Sequence, residues 1–150
     1  MSLPTQILPA HHRHCDELFV AAEEAVQHGD WVASASAFAR FREQMNAHLD
    51  AEEGLLFPAF ESATGMSGGP TQMMRHEHEQ MRSLIAQLVA ACVARDADGY
   101  AGAADTLLIL MQQHNMKEEN ILYPMCDQAL GVEAESMGET LGTLLEKGHA

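Results

Sequence analysis

Lysine and arginine are scarce in this chain, and long apolar runs are absent. Only 8 residues are Lys or Arg, against 22 Asp and Glu, which gives a formal net charge of −14. Phosphate backbones and anionic lipids repel such a surface, so the charge argues against binding to nucleic acid or to a membrane surface. No apolar stretch approaches the roughly 20 residues that span a bilayer. We therefore expect a soluble protein with small or cationic partners.

Cysteine is also rare and shows no paired spacing. The three cysteines, Cys15, Cys92 and Cys126, do not form a disulfide pattern. The first ten residues have neither the basic region nor the apolar region of a secretory signal. We expect reduced thiols and a cytoplasmic protein. The 150 residues are enough for a single domain, 1–150, with a core that needs no covalent cross-link.

The composition predicts an all-α protein. Aromatic residues make up only 5% of the chain, good helix formers such as Ala, Leu, Glu, Gln and Met are abundant, and β-branched runs are absent. Gly29 is a typical residue after a helix end, and Asp30 can cap the next helix. The second helix should turn Phe38, Phe41 and Met45 inward, together with Leu49. We predict four long helices, over about residues 10–28, 31–60, 71–95 and 98–128.

The segments outside these helices are short. Residues 64–70 contain three glycines and predict a loop. Pro58 and Pro124 fall near the ends of their helices and predict a similar bend in each. The tail, 131–150, offers a small apolar face of Leu141, Leu144 and Leu145. It is either a short fifth helix that docks on the bundle or a frayed segment.

One motif occurs twice in the chain. The pattern His-x-x-x-Glu-Glu-x-x-Leu-aromatic-Pro begins at His48 and again 66 residues later at His114. A His and a Glu four positions apart lie on one face of a helix, so both can reach the same ion. Two such helices facing each other would bring two imidazoles and two carboxylates together. The repeat therefore predicts a metal site.

The same offset extends the predicted site upstream. His12 falls on His78, and Leu18 on Leu84, so each half carries one more His on a preceding helix. Burying these polar groups without a metal would be costly. Four imidazoles and two carboxylates suit iron or manganese, and suit calcium or magnesium poorly. The predicted ligands are His12, His48, Glu52, His78, His114 and Glu118.

Several neighbouring residues have two readings. His11, His14 and His76 flank the predicted ligands and could replace them, but residues one or two positions along a helix point to other faces. His12 and His78 are preferred because they share the repeat offset. Glu53 and Glu119 either orient ligand imidazoles or lie on a solvated face, with equal weight. Tyr123 could donate a hydrogen bond near the site, but its repeat partner is Phe57, so core packing is the preferred interpretation.

The doubled motif resembles the hemerythrin-like family, also called the HHE cation-binding domain, over roughly residues 10–128. The resemblance implies an up-down four-helix bundle with a carboxylate-bridged centre of two non-haem iron ions. Zinc or manganese could occupy such a site in a purified sample. By this likeness Glu52 and Glu118 are the bridges, and the four histidines are terminal ligands.

The resemblance also has departures. Oxygen-carrying hemerythrins have an extra His where this chain has Met74, and an Asp one position later than Glu118. The pattern is closer to hemerythrin-like sensors and to proteins linked with iron–sulfur cluster repair, although the two-cysteine segment of typical repair proteins is absent. A ferritin-like centre is disfavoured, because that class uses Glu-x-x-His, whereas this chain has His-x-x-x-Glu.

Three functions remain open, and the first of them is the main prediction. The first is a protein that binds a small ligand such as O₂ or NO for sensing, storage or detoxification, and is not an enzyme. The second is an enzyme of the oxidative or nitrosative stress response, which repairs iron–sulfur clusters or reduces peroxide or NO at the same centre. The third is a metal-free helical interaction module. Nothing in the sequence identifies a protein partner.

Overall fold

The structure, a computed structural model, describes residues 2–147, except for the side chain of Lys147. These residues form helices and no strands. Two π-helical turns, Glu52–Leu56 and Glu118–Leu122, join α2 to α3 and α5 to α6, and a 3₁₀ turn, Gly131–Glu133, precedes the last helix. The α-helices are α1 (Pro4–Gln27), α2 (Trp31–Ala51), α3 (Phe57–Thr64), α4 (Pro70–Ala94), α5 (Ala97–Lys117), α6 (Tyr123–Leu130) and α7 (Ala134–Lys147).

Because the π turns are continuous with their neighbours, residues 31–64 and 97–130 each form one long rod. These two rods, with α1 and α4, are the four predicted long helices, so the all-α four-helix prediction is confirmed. Short connections place α1 against α2 and α4 against α5 as neighbouring helices. None of the helices among the described residues is long and apolar enough to cross a membrane.

The prolines in the two rods do not end their helices. Pro58 and Pro124 each follow a π turn, in which the N–H of Phe57 bonds the Glu52 carbonyl and that of Tyr123 bonds the Glu118 carbonyl. A proline lacks the N–H of a regular turn and its ring crowds the carbonyl four residues back. The wider π turn accommodates both effects. The same local distortion therefore appears in each half, as the repeat predicts.

The bundle core consists of two apolar clusters separated by a buried polar layer. On α2, Met45 belongs to one cluster and Ala51 to the other, with His48 between them. On α4, His78 lies in the same way between Met81 and Met74. The residues that we predict to point inward on α2 are all buried: Phe38, Phe41, Met45 and Leu49.

The tail of the chain docks on the bundle as α7. Leu141 and Leu145 are buried in the same apolar cluster as Leu8 of α1. Leu144 is 37% exposed, so its predicted place on the buried face was wrong. Residues 148–150 of the predicted tail lie outside the described residues. At the N-terminus, α1 begins at Pro4, earlier than predicted, because proline is well suited to the first turn of a helix.

The repeat also sets the helix ends. The Asp30 side chain accepts the Ala33 N–H at 3.0 Å, and Asp96, 66 residues later, accepts the Gly99 N–H at 2.9 Å. The residues just before these caps are left-handed in both halves, Gly29 with φ 71° and Arg95 with φ 53°. A side chain with a Cβ is strained in that conformation, whereas glycine is not. The second half therefore carries a local strain that the first half avoids.

Replacing Arg95 by Gly should stabilise the protein by about 1 kcal/mol, because it removes the Cβ from a left-handed residue. For a chain of this size the melting temperature should rise by roughly 2–4 °C in thermal unfolding followed by circular dichroism. Arg95→Ala, which keeps the Cβ, should show no such gain, and Gly29→Ala should destabilise. A lower melting temperature for Arg95→Gly would contradict the assignment of strain.

Candidate metal centre

All six predicted ligand residues lie in the buried polar layer, and none is more than 3% exposed. Their side-chain donor atoms form two groups, within each of which the atoms lie no more than 4.8 Å from one another, and Glu118 belongs to both. Cluster A consists of Glu52, His78, His114 and Glu118. Cluster B consists of His12, His48 and Glu118.

The two carboxylates connect the clusters. Glu52 turns one oxygen towards each of them, with Oε1 3.1 Å from His78 Nε2 and Oε2 3.5 Å from His48 Nε2. Glu118 Oε1 lies 3.2 Å from both His12 Nε2 and His114 Nε2. Each carboxylate therefore lies between an imidazole of cluster A and an imidazole of cluster B. Such an arrangement places both carboxylates where the two clusters can share them.

Four buried atoms of cluster A have no hydrogen-bond partner among the described residues: Glu52 Oε1, His78 Nε2, His114 Nε2 and Glu118 Oε2. The His78 ring donates its Nδ1–H to Glu53, so in the neutral ring Nε2 carries a lone pair facing the Glu52 oxygen. Two buried acceptors facing each other are costly unless a cation lies between them. Nitrogen and carboxylate donors suit a first-row transition ion, so these residues fit such a metal.

Carboxylates orient three of the four imidazoles through their second nitrogen. Glu53 Oε2 accepts from His78 Nδ1 at 2.6 Å, and Glu119 Oε2 accepts from His12 Nδ1 at 2.7 Å. The orienting alternative for Glu53 and Glu119 therefore matches the structure. The third, Glu77, accepts from His114 Nδ1 at 2.8 Å. Such contacts fix the ring orientation and its tautomer.

Basic side chains neutralise two of these orienting carboxylates. Arg82 donates to Glu53 Oε2 at 2.7 Å, and Lys117 forms a salt bridge with Glu77. Burial opposes ionisation of both carboxylates, but the hydrogen bonds from the cations and imidazoles outweigh it and lower the pKa of Glu53 and of Glu77. Both groups are therefore held as acceptors for the ligand rings.

His48 is oriented differently, by another histidine. His11 Nδ1 lies 2.9 Å from His48 Nδ1, and His11 Nε2 lies 2.9 Å from Gln44 Oε1. Since the Gln44 oxygen can only accept, His11 Nδ1 accepts from His48, which leaves the His48 Nε2 lone pair facing the cluster. Burial, reinforced by His48, lowers the pKa of His11 to about 4, so the orienting ring is neutral.

Sequence reasoning placed His11 only as a flanking residue and did not find Glu77. The two occupy equivalent positions of the 66-residue repeat. Each contacts the His of a His-x-x-x-Glu motif. The signal in the sequence is their matched position, one residue upstream of His12 and His78, but one is His and the other is Glu, so identity between the halves does not reveal them. His14 is half-buried, and His76 is 70% exposed, so His76 does not contribute to either cluster.

Tyr123 is the main residue that the sequence analysis assigned wrongly, since it does more than pack in the core. Its hydroxyl lies 2.6 Å from Glu52 Oε2 and 2.9 Å from Glu118 Oε1. It also lies 3.2 Å from His12 Nε2 and 3.3 Å from His48 Nε2. The hydroxyl therefore lies among the donor atoms of cluster B and beside Glu52.

The π turn explains why helical spacing misses Tyr123. In an α-helix, residues five apart are separated by about 140° around the axis, so Glu118 and Tyr123 would face different ways. In the π turn the Tyr123 N–H bonds the Glu118 carbonyl five residues back, which brings both onto one face. The signal that could have revealed this is Pro124, which disfavours a regular turn at this position.

The centre concentrates negative charge. Burial lowers the pKa of His114, but Glu118 and then Glu52 and Glu77 outweigh it and raise the pKa to about 9. Burial likewise opposes the charged form of His12, and Glu118 and Glu52 again raise its pKa. The buried carboxylates therefore favour positive charge on the groups around them, which is also the condition for holding a cation.

Known proteins resemble this chain in the same region. Residues 3–126 match the family described as Hemerythrin HHE cation binding domain. The chain is 30% identical over 140 residues to "Iron-sulfur cluster repair protein YtfE" of Edwardsiella ictaluri (strain 93-146), which covers 81% of this chain and 61% of that protein. It thus spans less than two thirds of this relative. No solved structure matches significantly. Because the family match covers most of its length, the chain belongs to the hemerythrin HHE cation-binding domain family.

Proposed function

We propose that this chain is a cytoplasmic, non-haem di-iron protein, built as one hemerythrin-like domain, that binds a small ligand such as O₂ or NO for sensing, storage or detoxification. The observation that carries the proposal is the pair of buried clusters that share Glu118. The four buried atoms of cluster A that have no hydrogen-bond partner among the described residues add to it. A metal-free interaction module would leave these atoms uncompensated, so it is disfavoured.

In this proposal each cluster holds one iron ion. Glu52 and Glu118 would be the carboxylates shared by both ions. The histidines would be terminal ligands, His78 and His114 in cluster A and His12 and His48 in cluster B. Iron would supply one-electron redox chemistry and an open coordination position for a diatomic molecule. The protein residues hold the imidazoles in the correct tautomer and exclude bulk water. Zinc or manganese could replace iron in a purified sample.

Oxygen carriage is not the role we favour. Met74 is buried in the apolar cluster with Phe57 and Phe60, and it supplies none of the donor atoms of clusters A and B. This position holds a further His in oxygen-carrying hemerythrins, so the proposed centre has fewer nitrogen ligands than theirs. Sensing or detoxification fits the smaller ligand set better.

A second candidate function is enzymatic, in the repair of damaged iron–sulfur clusters or in the reduction of peroxide or NO. The name of the relative, an iron–sulfur cluster repair protein, favours it. The chain matches 61% of that relative, so we keep repair as the alternative. Both candidates use the same six metal ligands.

Replacing His48 and His114 together by Ala should abolish iron binding, because each cluster loses one imidazole and gains an unpaired carboxylate. The measurement is iron per chain after preparation without air, where we expect about two for the wild type and none for the double variant. His76→Ala, at a site 70% exposed, is the matched control and should retain iron. Full retention of iron by the double variant would contradict the assignment of the metal ligands. An iron-dependent rise in melting temperature should be lost in parallel.

Exposure of the iron-loaded protein to NO under a reductant separates the two functions. The ligand-binding proposal predicts that NO is taken up in proportion to the protein, with no continuing consumption of reductant. Continuing consumption, or recovery of a [4Fe–4S] protein previously damaged by NO, would instead establish the enzymatic alternative. The His48→Ala, His114→Ala protein is the blank for both assays, since it should show neither behaviour.

A further inference from the structure

We infer that Tyr123 is a fifth protein ligand of the metal at cluster B, where its oxygen coordinates alongside His12, His48, Glu52 and Glu118. The inference rests on the proposed di-iron function and goes beyond the His and Glu ligand set. It depends on three observations: the distances around the Tyr123 hydroxyl, the number of protons available there, and the difference between the two halves of the repeat.

The distances place the phenol oxygen beside the donor atoms as one of them. Ligand atoms bound to one ion at about 2.0–2.2 Å in octahedral geometry lie about 3 Å from their neighbours. The Tyr123 oxygen is 3.2 Å from His12 Nε2 and 2.9 Å from Glu118 Oε1, and those two atoms are themselves 3.2 Å apart. The three atoms thus form a nearly equilateral triangle of the size of an octahedral face.

The other two donor atoms near the phenol oxygen, on His48 and Glu52, lie at similar distances. His48 Nε2 and Glu52 Oε2 are 3.5 Å apart and lie 3.3 Å and 2.6 Å from the Tyr123 oxygen. The Tyr123 oxygen therefore has four donor atoms at 2.6–3.3 Å. A corner of an octahedral donor set likewise has four neighbours at about 3 Å.

Counting protons supports the same position. His12 donates its Nδ1–H to Glu119, and His48 donates its Nδ1–H to His11, so both rings in their neutral form turn a lone pair towards Tyr123. Two carboxylate oxygens face it as well. A phenol has one proton and can satisfy one of these four acceptors fully. A cation bound by all five atoms satisfies them together, and the phenol proton then leaves to solvent as the oxygen–metal bond forms.

The two clusters differ at this position. The repeat partner of Tyr123 is Phe57, whose ring has no donor atom and lies against His78, with ring centroids 5.6 Å apart. With Tyr123 bound and Glu52 shared, an ion at cluster B has five protein ligands, whereas an ion at cluster A has four. The iron at cluster A then retains more open positions, so a small exogenous ligand should bind there.

The test is the visible spectrum of the iron(III) protein, made by loading Fe²⁺ without air and oxidising it with ferricyanide. A tyrosine bound to iron(III) gives a phenolate-to-iron charge-transfer band, and resonance Raman excitation in that band shows phenol ring modes. We expect both in the wild type and neither in Tyr123→Phe. Tyr100→Phe is the matched control, because Tyr100 is also a buried tyrosine but belongs to the apolar cluster away from the centre, and it should keep the band.

Each outcome is decisive. A wild-type protein with two irons and no phenolate ring modes would overturn the inference while leaving the proposed function intact, and this readout requires no variant to fold. A band that persists in Tyr123→Phe would overturn it as well. A wild-type protein without iron would overturn the proposed function and this inference together. Loss of the band in Tyr123→Phe, with iron retained in cluster A, would establish Tyr123 as a ligand.

Discussion

The structure depends on a layer of buried acceptors that crosses the middle of the bundle. Four imidazoles and two carboxylates are placed there with almost no access to water, and a bundle interior tolerates them only when every lone pair has a partner. The buried face of each long helix is therefore apolar, then polar, then apolar again along its length. The orienting groups, Glu53, Glu77, Glu119 and His11, use the outer nitrogens of the rings and leave the inner ones for a cation.

A second constraint follows from placing this layer on long helices. Regular helical spacing brings His48 and Glu52 onto one face, but it would turn the residue five positions after the Glu away. The π turns at Glu52–Leu56 and Glu118–Leu122 change that direction without ending the rod. The proline after each turn makes the distortion inexpensive, since a regular turn at that place would already lack a hydrogen bond. Local strain and site geometry therefore come from the same short segment.

The sequence predicted most of the fold and the place of the six candidate ligands, because both follow from periodicities of the chain. Helix spacing determines which residues share a face, and the 66-residue repeat identifies matched positions such as His12 and His78. Reasoning from spacing failed where a contact depends on packing between helices. Glu77 reaches His114 from a different helix, and no pattern within one helix predicts this contact. Tyr123 was assigned to core packing because its repeat partner is Phe57, and the α-helical period, which does not hold in a π turn, gave no reason to place it in the site.

The few basic side chains of this acidic chain affect how the histidines of the centre are held. Arg82 and Lys117 hold the carboxylates behind His78 and His114, and the two basic side chains are 35% and 39% exposed. Partly exposed ion pairs weaken as dissolved salt screens them. The neutral chain from Gln44 through His11 to His48 has no such sensitivity. Rising ionic strength should therefore weaken the contacts that orient the imidazoles of cluster A, whereas the orientation of His48 in cluster B should not depend on it.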